Sequence, residues 1–399
     1  TTDQIIKGVH VLQIWADINP KTGIVTVYNN GKGISVCVHE KVSKQKGRDI
    51  YNPEVAFSMP RTGTNLHTRK GHDVGGTNGY GVKLTAAFAE LFKLKTVDDV
   101  VKLMYKQSFK NGLKQIDPPK ITSSDEGPYV ELSFLPRYSK FGYDVGELSG
   151  TSSGNGGTSN KTPSPLWMNE LIDIIRLRVS LLSCFAKSLE PNCEVVYMNK
   201  KIKYTTPKDI LATMIDIKDE NYYSIRVQST ENKKHYLDYA IMIGAKPKCV
   251  SVLNGIQIME GSHFKHLYDS ITKVIKDKDK DKDRSINVKS FLWVVASGHL
   301  SINNWSSQTK DKFLEKTAFF EQFDLSKNNV ALNSIATRLI ELQSIKDLDK
   351  AAKAAKNKKS KYEKYIPAKV KSNKNTLALC EGDSRSEERR VGKECRSRW

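Results

Sequence analysis

Apolar and polar residues alternate along Val9 to Trp15 and again along Gly23 to Asn29, on either side of Asn19-Pro20-Lys21-Thr22-Gly23. A period of two interrupted by turn residues predicts a β-hairpin. Further on the period changes: Leu84, Ala87, Phe88, Leu91 and Phe92 stand at helical spacing and predict a helix over Thr85 to Lys95. Between these segments, Cys37 to Asn52 is basic and short of apolar residues, the composition of a solvated loop, and Pro53 to Met59 suits a short helix. Arg61 to His72 is polar apart from one leucine, as expected of a flexible lid. Tyr129 to Pro136 reads as a strand after the turn at Pro118-Pro119, closing a first domain near Asp144.

Gly146 to Pro165 is rich in Gly, Ser and Thr and reads as a linker or loop insertion. Beyond it, Leu171, Ile174, Ile175, Val179, Leu182 and Phe185 fall in register on a helix over Leu166 to Leu189. A hairpin around Met198-Asn199-Lys200 follows, then strands over Tyr222 to Gln228, Tyr236 to Ile243, Cys249 to Asn254 and Phe291 to Ala296. His263 to Ile275, Lys312 to Phe323 and Leu332 to Leu348 are expected as helices. Strands on both sides of a helix in one sheet require a crossover, so the second half is an α/β arrangement and the whole chain is of the α+β class.

Composition adds a partner class. The 399 residues, 38% of them hydrophobic, suffice for two or more packed domains. No apolar run reaches the roughly 18 residues of a membrane span, and no membrane partner is expected. Lys and Arg total 64 against 44 Asp and Glu, a net charge of +20, which points to a polyanion such as duplex DNA. The six cysteines are scattered without a CxxC pair and read as free thiols.

The candidate chemistry lies in three stretches. Gly75 to Leu84 holds four glycines with Lys83 just after them, a backbone able to bend tightly and bring N–H groups onto phosphate oxygens. Its order is GxxGxG, neither a dinucleotide fingerprint nor a P-loop. Asn29-Asn30-Gly31-Lys32-Gly33 ends a strand with an amide able to meet a base edge. Ser306-Ser307-Gln308-Thr309-Lys310 offers an ammonium on a flexible stem. His263 and His266 lack a carboxylate at ligand spacing and read as surface or loop histidines rather than a metal pair.

Taken in order, Asn29 to Gly33, Thr62-Gly63-Thr64-Asn65 and Gly75 to Leu84 resemble the nucleotide site of the eukaryotic-type (type IIA) DNA topoisomerase II family, Bergerat-fold (GHKL) ATPases. Gly261-Ser262-His263 and the Gln308-Thr309-Lys310 loop resemble that family's transducer, of ribosomal-S5-like α/β type. The resemblance implies ATP and Mg²⁺ as cofactors. Asn29 would meet adenine; Thr64 and Asn65 the ribose and phosphates; Gly76, Thr77, Asn78, Gly79, Tyr80, Gly81, Val82 and Lys83 would wrap the triphosphate. Gln308 and Thr309 would hold the loop from which Lys310 senses the γ-phosphate. Position 63 is Gly where the family has Ser, and 77 is Thr where it has Arg, which implies fewer phosphate contacts.

The implied division is a Bergerat ATPase domain over 1–145, a linker over 146–165, a transducer over 166–349, a lysine-rich connector over 350–374 and the first strand of a TOPRIM domain over 375–384, whose Glu381 would bind Mg²⁺. Residues 385–399 resemble the translation of a sequencing adapter and are set aside. The family's helix with its general-base Glu and Mg²⁺-binding Asn has no counterpart from Thr1 to Val9, and the cleavage Tyr is likewise unmatched, so this chain alone is expected to lack ATP hydrolysis and DNA cleavage. The full-length enzyme would be a homodimer closed through its ATPase gate and would act in the nucleus, or in viral or cytoplasmic compartments if the gene belongs to a large DNA virus. Lys276 to Arg284 resembles a lysine-rich DNA-contacting loop of the family, but its four aspartates nearly cancel the lysines, so a solvated loop is expected first and a DNA contact second. Another Bergerat ATPase of repair or chaperone type, or a DNA-binding relic without catalysis, remain as alternatives.

Overall fold

The first hairpin forms where the alternation placed it. In a computed structural model, which describes residues 5, 8, 10–59, 79–143, 165–217, 221–244, 247–279, 281, 285–301, 304–307 and 309–357 (side chains to 350), β1 (Gln13–Ile18) pairs antiparallel with β2 (Val25–Asn29). Asn19 shapes the turn, its side-chain oxygen accepting from the N–H of Lys21 and Thr22 at 2.9 and 3.2 Å, and Gly23 supplies a φ of 69°.

Two expectations fail nearby. Residues Glu40–Lys46 form a helix, α1, instead of a loop; it buries no side chain and is defined at its ends, by Glu40 in the first turn, Lys44 and Lys46 in the last, and left-handed Gly47 beyond. Helix α2 (Asn52–Ser58) follows as expected. The helix predicted over Thr85 to Lys95 is only Gly81–Ala87, α3, and the chain then enters β3 (Ala89–Asp98). The reason is legible in Phe92-Lys93-Leu94-Lys95-Thr96, where buried and more exposed residues alternate: two apolar side chains and Thr96 fill the core while the lysines face outward. A partner strand, β4 (Leu103–Lys110), then completes an antiparallel pair that periodicity alone had not revealed.

Short strands β5 (Gln115–Ile116) and β6 (Lys120–Ser123) flank β4, and β7 (Tyr129–Pro136) inserts between β2 and β3. From later in the chain β8 (Glu194–Tyr197) pairs parallel with β1 and carries β9 (Lys200–Lys201), joined through Met198 and Asn199, both at positive φ. Among the described residues this makes a nine-stranded sheet ordered β5-β4-β3-β7-β2-β1-β8-β9, with β6 beside β4.

Helix α4 has the predicted bounds, Leu166–Leu189, and α5 (Pro207–Met214) starts with a capping box between Thr206 and Asp209. Strands β10 (Tyr222–Gln228), β11 (Tyr236–Ile243), β12 (Lys248–Leu253) and β13 (Ile256–Ile258) lead to β14 (Glu260–Gly261) and helix α6 (Ser262–Lys278). Strand β15 (Leu292–His299) returns parallel to β12, the expected crossover, and among the described residues the second sheet is ordered β10-β11-β15-β12-β13. The segment expected as a helix from Lys312 to Phe323 is instead β16 (Lys312–Phe313), paired with β14, and a 3-10 turn over Thr317–Gln322. Helix α7 runs Asn329–Asn357. The chain divides into two compact units, Thr1–Leu342 and Gln343–Trp399. Among the described residues no helix is long and apolar enough to cross a membrane.

One helix serves both sheets. Met168, Ile172, Val179 and Ala186 of α4 pack with β1, β2 and β8, while Leu181, Cys184 and Phe185 pack with α5 and the inner residues of β11, β12 and β15. The opposite face of the second sheet is covered by α6 and by Leu332, Ile335, Ala336 and Leu339 of α7. Burial on both faces explains why β11 is apolar nearly throughout.

His263 and His266 are neither surface nor loop residues. They stand in the first turns of α6, where His263 is fully buried with Nε2 2.9 Å from Ser251 Oγ, and His266 Nε2 lies 2.9 Å from the Phe323 carbonyl. Burial lowers the His263 pKa to about 3, which makes it a neutral core side chain, and lowers that of the partly buried His266 as well. The Lys/Asp run is likewise no loop at its start: Lys276 to Lys278 belong to α6, and Lys278 Nζ reaches Thr337 Oγ1 at 3.3 Å.

Phe92 tests the corrected reading of the first sheet. It is fully buried against the rings of Phe57, Phe109 and Phe134, at centroid distances of 5.5, 5.9 and 6.1 Å. Phe92→Ala should lower the unfolding free energy by about 3–5 kcal/mol, read from urea denaturation midpoints. Were residue 92 on an exposed helix face, the change would be within about 0.5 kcal/mol.

Candidate functional site

The strand β2 ends at Asn29, 8% exposed, and the chain then turns sharply through Asn30-Gly31-Lys32-Gly33. Three side chains fix that turn. Asn30 Oδ1 accepts from the Gln13 N–H at 2.7 Å, tying it to β1. Thr96 Oγ1 accepts from the Ile34 N–H at 3.0 Å while donating to the Tyr129 carbonyl at 2.8 Å. Asp98 accepts from the N–H of Val36 at 2.9 Å and of Val100 at 3.1 Å. The backbone here presses on β3: a Cβ on Gly33 would lie 1.7 Å from the Val97 carbonyl oxygen, so only glycine fits.

Burial alone would raise the Asp98 pKa, but the N–H groups of Val36, Val100 and Val101 and the Ser35 hydroxyl outweigh it and hold the carboxyl below its ordinary value. Thr96 and Asp98 are absent from the sequence-derived candidates because the helix expected over Thr85 to Lys95 hides the strand that carries them. The alternation of Phe92 to Thr96 was the available signal.

Next to this wall, α2 packs on α3. Glu54 of α2 is fully buried and accepts from the Arg48 guanidinium and from Gln107 Nε2 at 2.9 Å, which fastens the helix to β4. Gly79 has a φ of 65°, Tyr80 caps α3, and Gly81, Val82 and Lys83 form its first turn. Lys83 is 9% exposed and its ammonium donates to the Gly79 carbonyl at 2.8 Å. Desolvation lowers its pKa. Thr64, Asn65, Gly76, Thr77 and Asn78 lie outside the described residues, as do Gln308 and Glu381.

The third stretch belongs to the second sheet's side of the fold. Trp305 bridges Phe313 and closes a loop in which Lys310 adopts a φ of 59°, with its ammonium 5.9 Å from the Trp305 ring centroid. Thr309 Oγ1 lies 2.6 Å from Ser307 Oγ and donates to Asp311 at 2.9 Å, and this hydrogen bond, the largest influence, lowers the Asp311 pKa. Among the described residues no group of three His, Cys, Asp or Glu is placed to hold a metal ion.

A largely antiparallel sheet with its glycine turns and short helices, followed by a second sheet packed on the same long helix, is the fold of the GHKL ATPase and transducer region of type II topoisomerases. The ATPase region of Saccharomyces cerevisiae topoisomerase II has the same fold, with a TM-score of 0.65 and 23% identity over 86% of this chain and 83% of that one. So have the ATPase and transducer domains of DNA topoisomerase II from Balamuthia mandrillaris, with a TM-score of 0.64 and 19% identity over 87% of this chain and 83% of that one.

Sequence relatives agree. DNA topoisomerase 2 of African swine fever virus (isolate Pig/Kenya/KEN-50/1950) is 27% identical over 345 residues, 82% of this chain and 27% of that protein. DNA topoisomerase 2 of Candida glabrata is 26% identical over 406 residues, 96% of this chain and 27% of that protein. The resemblance to type IIA DNA topoisomerase II is therefore borne out over most of the chain, which spans about a quarter of the length of the curated relatives it matches. No protein-family profile matches it.

Asp98 gives a pH signature. Its pKa is lower folded than unfolded, so its contribution is complete above the unfolded value of about 3.9 and vanishes as pH falls through the lower folded value. Asp98→Asn should lose about 1–3 kcal/mol of unfolding free energy near neutrality. The gap from wild type should close on acidification below the unfolded value, in denaturation curves taken across that range.

Proposed function

We propose that this chain is the nucleotide-binding and transducer portion of an ATP-dependent type IIA DNA topoisomerase, in which ATP closes a dimeric gate and its turnover is coupled to duplex passage. The observation that carries the reading is the turn after Asn29, at the end of an interior strand of a GHKL-type sheet and pinned by Thr96 and Asp98 of another. There Asn29 reads the adenine edge. Gly76 to Lys83 encloses the triphosphate, with Thr64 and Asn65 at the ribose and phosphates. Lys83, already stripped of most of its water, meets a phosphate oxygen as a pre-desolvated cation.

Lys310 senses the γ-phosphate. Its loop is braced by Ser307, Thr309 and Asp311, and Gln308 completes it. Mg²⁺ is proposed to enter with the nucleotide, and Glu381 to serve a separate TOPRIM site. The proposed division keeps an ATPase part over 1–145, a linker over 146–165, a transducer over 166–349, a connector over 350–374, the start of TOPRIM over 375–384 and foreign residues over 385–399. The parallel pairing of β8 with β1 supports a tight join between the first two parts, since it seats transducer chain in the ATPase sheet. Duplex DNA as substrate suits the net charge of +20, and a nuclear or viral setting suits relatives from yeast and African swine fever virus.

Calorimetric titration with a non-hydrolysable ATP analogue tests the reading. Asn29→Ala, Lys83→Met and Lys310→Ala should each weaken binding by about tenfold or more, a loss near 1.4 kcal/mol, with circular dichroism unchanged. Wild-type affinity should also fall as pH rises through the Lys83 pKa, which desolvation places below the ordinary lysine value. A folded wild type without affinity, or variants that bind unimpaired, would sink the assignment.

A further inference from the structure

Away from these stretches, the second sheet carries a cavity of about 490 Å³ between α6, the segment Ile286 to Lys289 and β16. Its walls are mostly apolar, supplied by Phe264 and Tyr268 of α6, by Ile286 and Val288, and by Leu314. That volume lies within the range of small-molecule sites. The mouth bears three ammonium groups, Lys265, Lys289 and Lys312, and two carboxylates, Glu260 and Asp269. Lys312 is paired with Glu260 at 3.3 Å, whereas Lys265 and Lys289 make no ion pair among the described residues. Cys249 also lines the cavity, half-buried, its thiol donating to the Met259 carbonyl at 3.2 Å.

We propose that this cavity binds a small aromatic anion, a carboxylate, sulfonate or phosphate on a planar ring. The ring replaces water against Phe264, Tyr268, Ile286 and Leu314, where burying apolar surface supplies most of the affinity. The acid group stays at the mouth between Lys265 and Lys289, where partial desolvation strengthens the attraction. Neutral ligands would leave those two cations without a counter-charge, and cationic ligands would meet a net positive rim. Because Lys312 and Leu314 follow closely on Lys310 in the chain, an occupant also restrains the base of that loop. The cavity needs neither nucleotide nor the residues assigned to it, so it stands independently of the proposed function.

The probe is anilinonaphthalene sulfonate, titrated by fluorescence into the full chain, with alkylation of Cys249 by N-ethylmaleimide followed by peptide mass mapping. At a probe concentration about ten times its dissociation constant, alkylation of Cys249 should slow about tenfold. Lys265→Glu/Lys289→Glu should weaken that protection by about tenfold or more, while Lys41→Glu/Lys44→Glu, an equal charge change on exposed α1, leaves it intact. All four lysines are exposed, so neither double variant disturbs the core. Unchanged Cys249 alkylation in the presence of bound probe overturns the proposal. So does an equal loss of protection in both double variants, which would mark attraction by overall charge.

Discussion

The close approach of Gly33 to the Val97 carbonyl is the contact on which the first half of the molecule depends. A backbone can come that near another only where no Cβ intervenes; Thr96 and Asp98 then accept from the amides of Ile34 and Val36 just after the turn, and Asn30 ties the turn to β1 through the Gln13 amide. Thr96 does this with one oxygen used twice, receiving a bond from the turn and donating one to β7. The end of β2, and with it Asn29, is thereby set against the sheet and not left to loop flexibility. A side chain placed by a rigid wall loses less freedom should a ligand meet it, which is what the proposed role of Asn29 requires.

Helix α4 carries the same rigidity across to the second sheet. Its opposite faces are committed to two cores, and the Tyr197 hydroxyl locks it to the first sheet by donating to the Ile172 carbonyl at 2.8 Å. Displacement of either sheet would have to open a packed apolar seam or move the helix with it. Packed seams of this kind favour discrete rearrangements over gradual bending. The Lys310 loop leads directly into β16, which pairs with β14 at the start of α6, and Phe313 of β16 is buried in the same apolar cluster as α6 and the second sheet.

The histidines of α6 show how far a local signal misleads without its surroundings. Two histidines three residues apart on a lysine-rich segment suggest solvent. The fold places Ser251 and the Phe323 carbonyl opposite them, so each finds a hydrogen-bond partner beside an apolar cluster, and burial lowers both pKa values. Lys83 follows the same logic with the opposite outcome: its ammonium is held near the surface of the core with a backbone carbonyl as its partner, a cation kept largely dry.

The sequence by itself determined what short-range periodicity and turn chemistry encode. The hairpin at Asn19, the bounds of α4, the strands β7, β10, β11 and β15, and the crossover through α6 were all legible, because each is written in consecutive residues. Only the tertiary structure decided the fate of Ala89 to Asp98. A helical face and a strand face share Leu91 and Phe92, and the choice between them is made by β4 and β7, which lie elsewhere in the chain. It likewise decided that β8 and β9 join the first sheet, that Lys312 pairs with Glu260, and that Thr96 and Asp98 hold the glycine turn. Strand pairing and burial join residues far apart in the sequence, and no local pattern contains the partner that settles them.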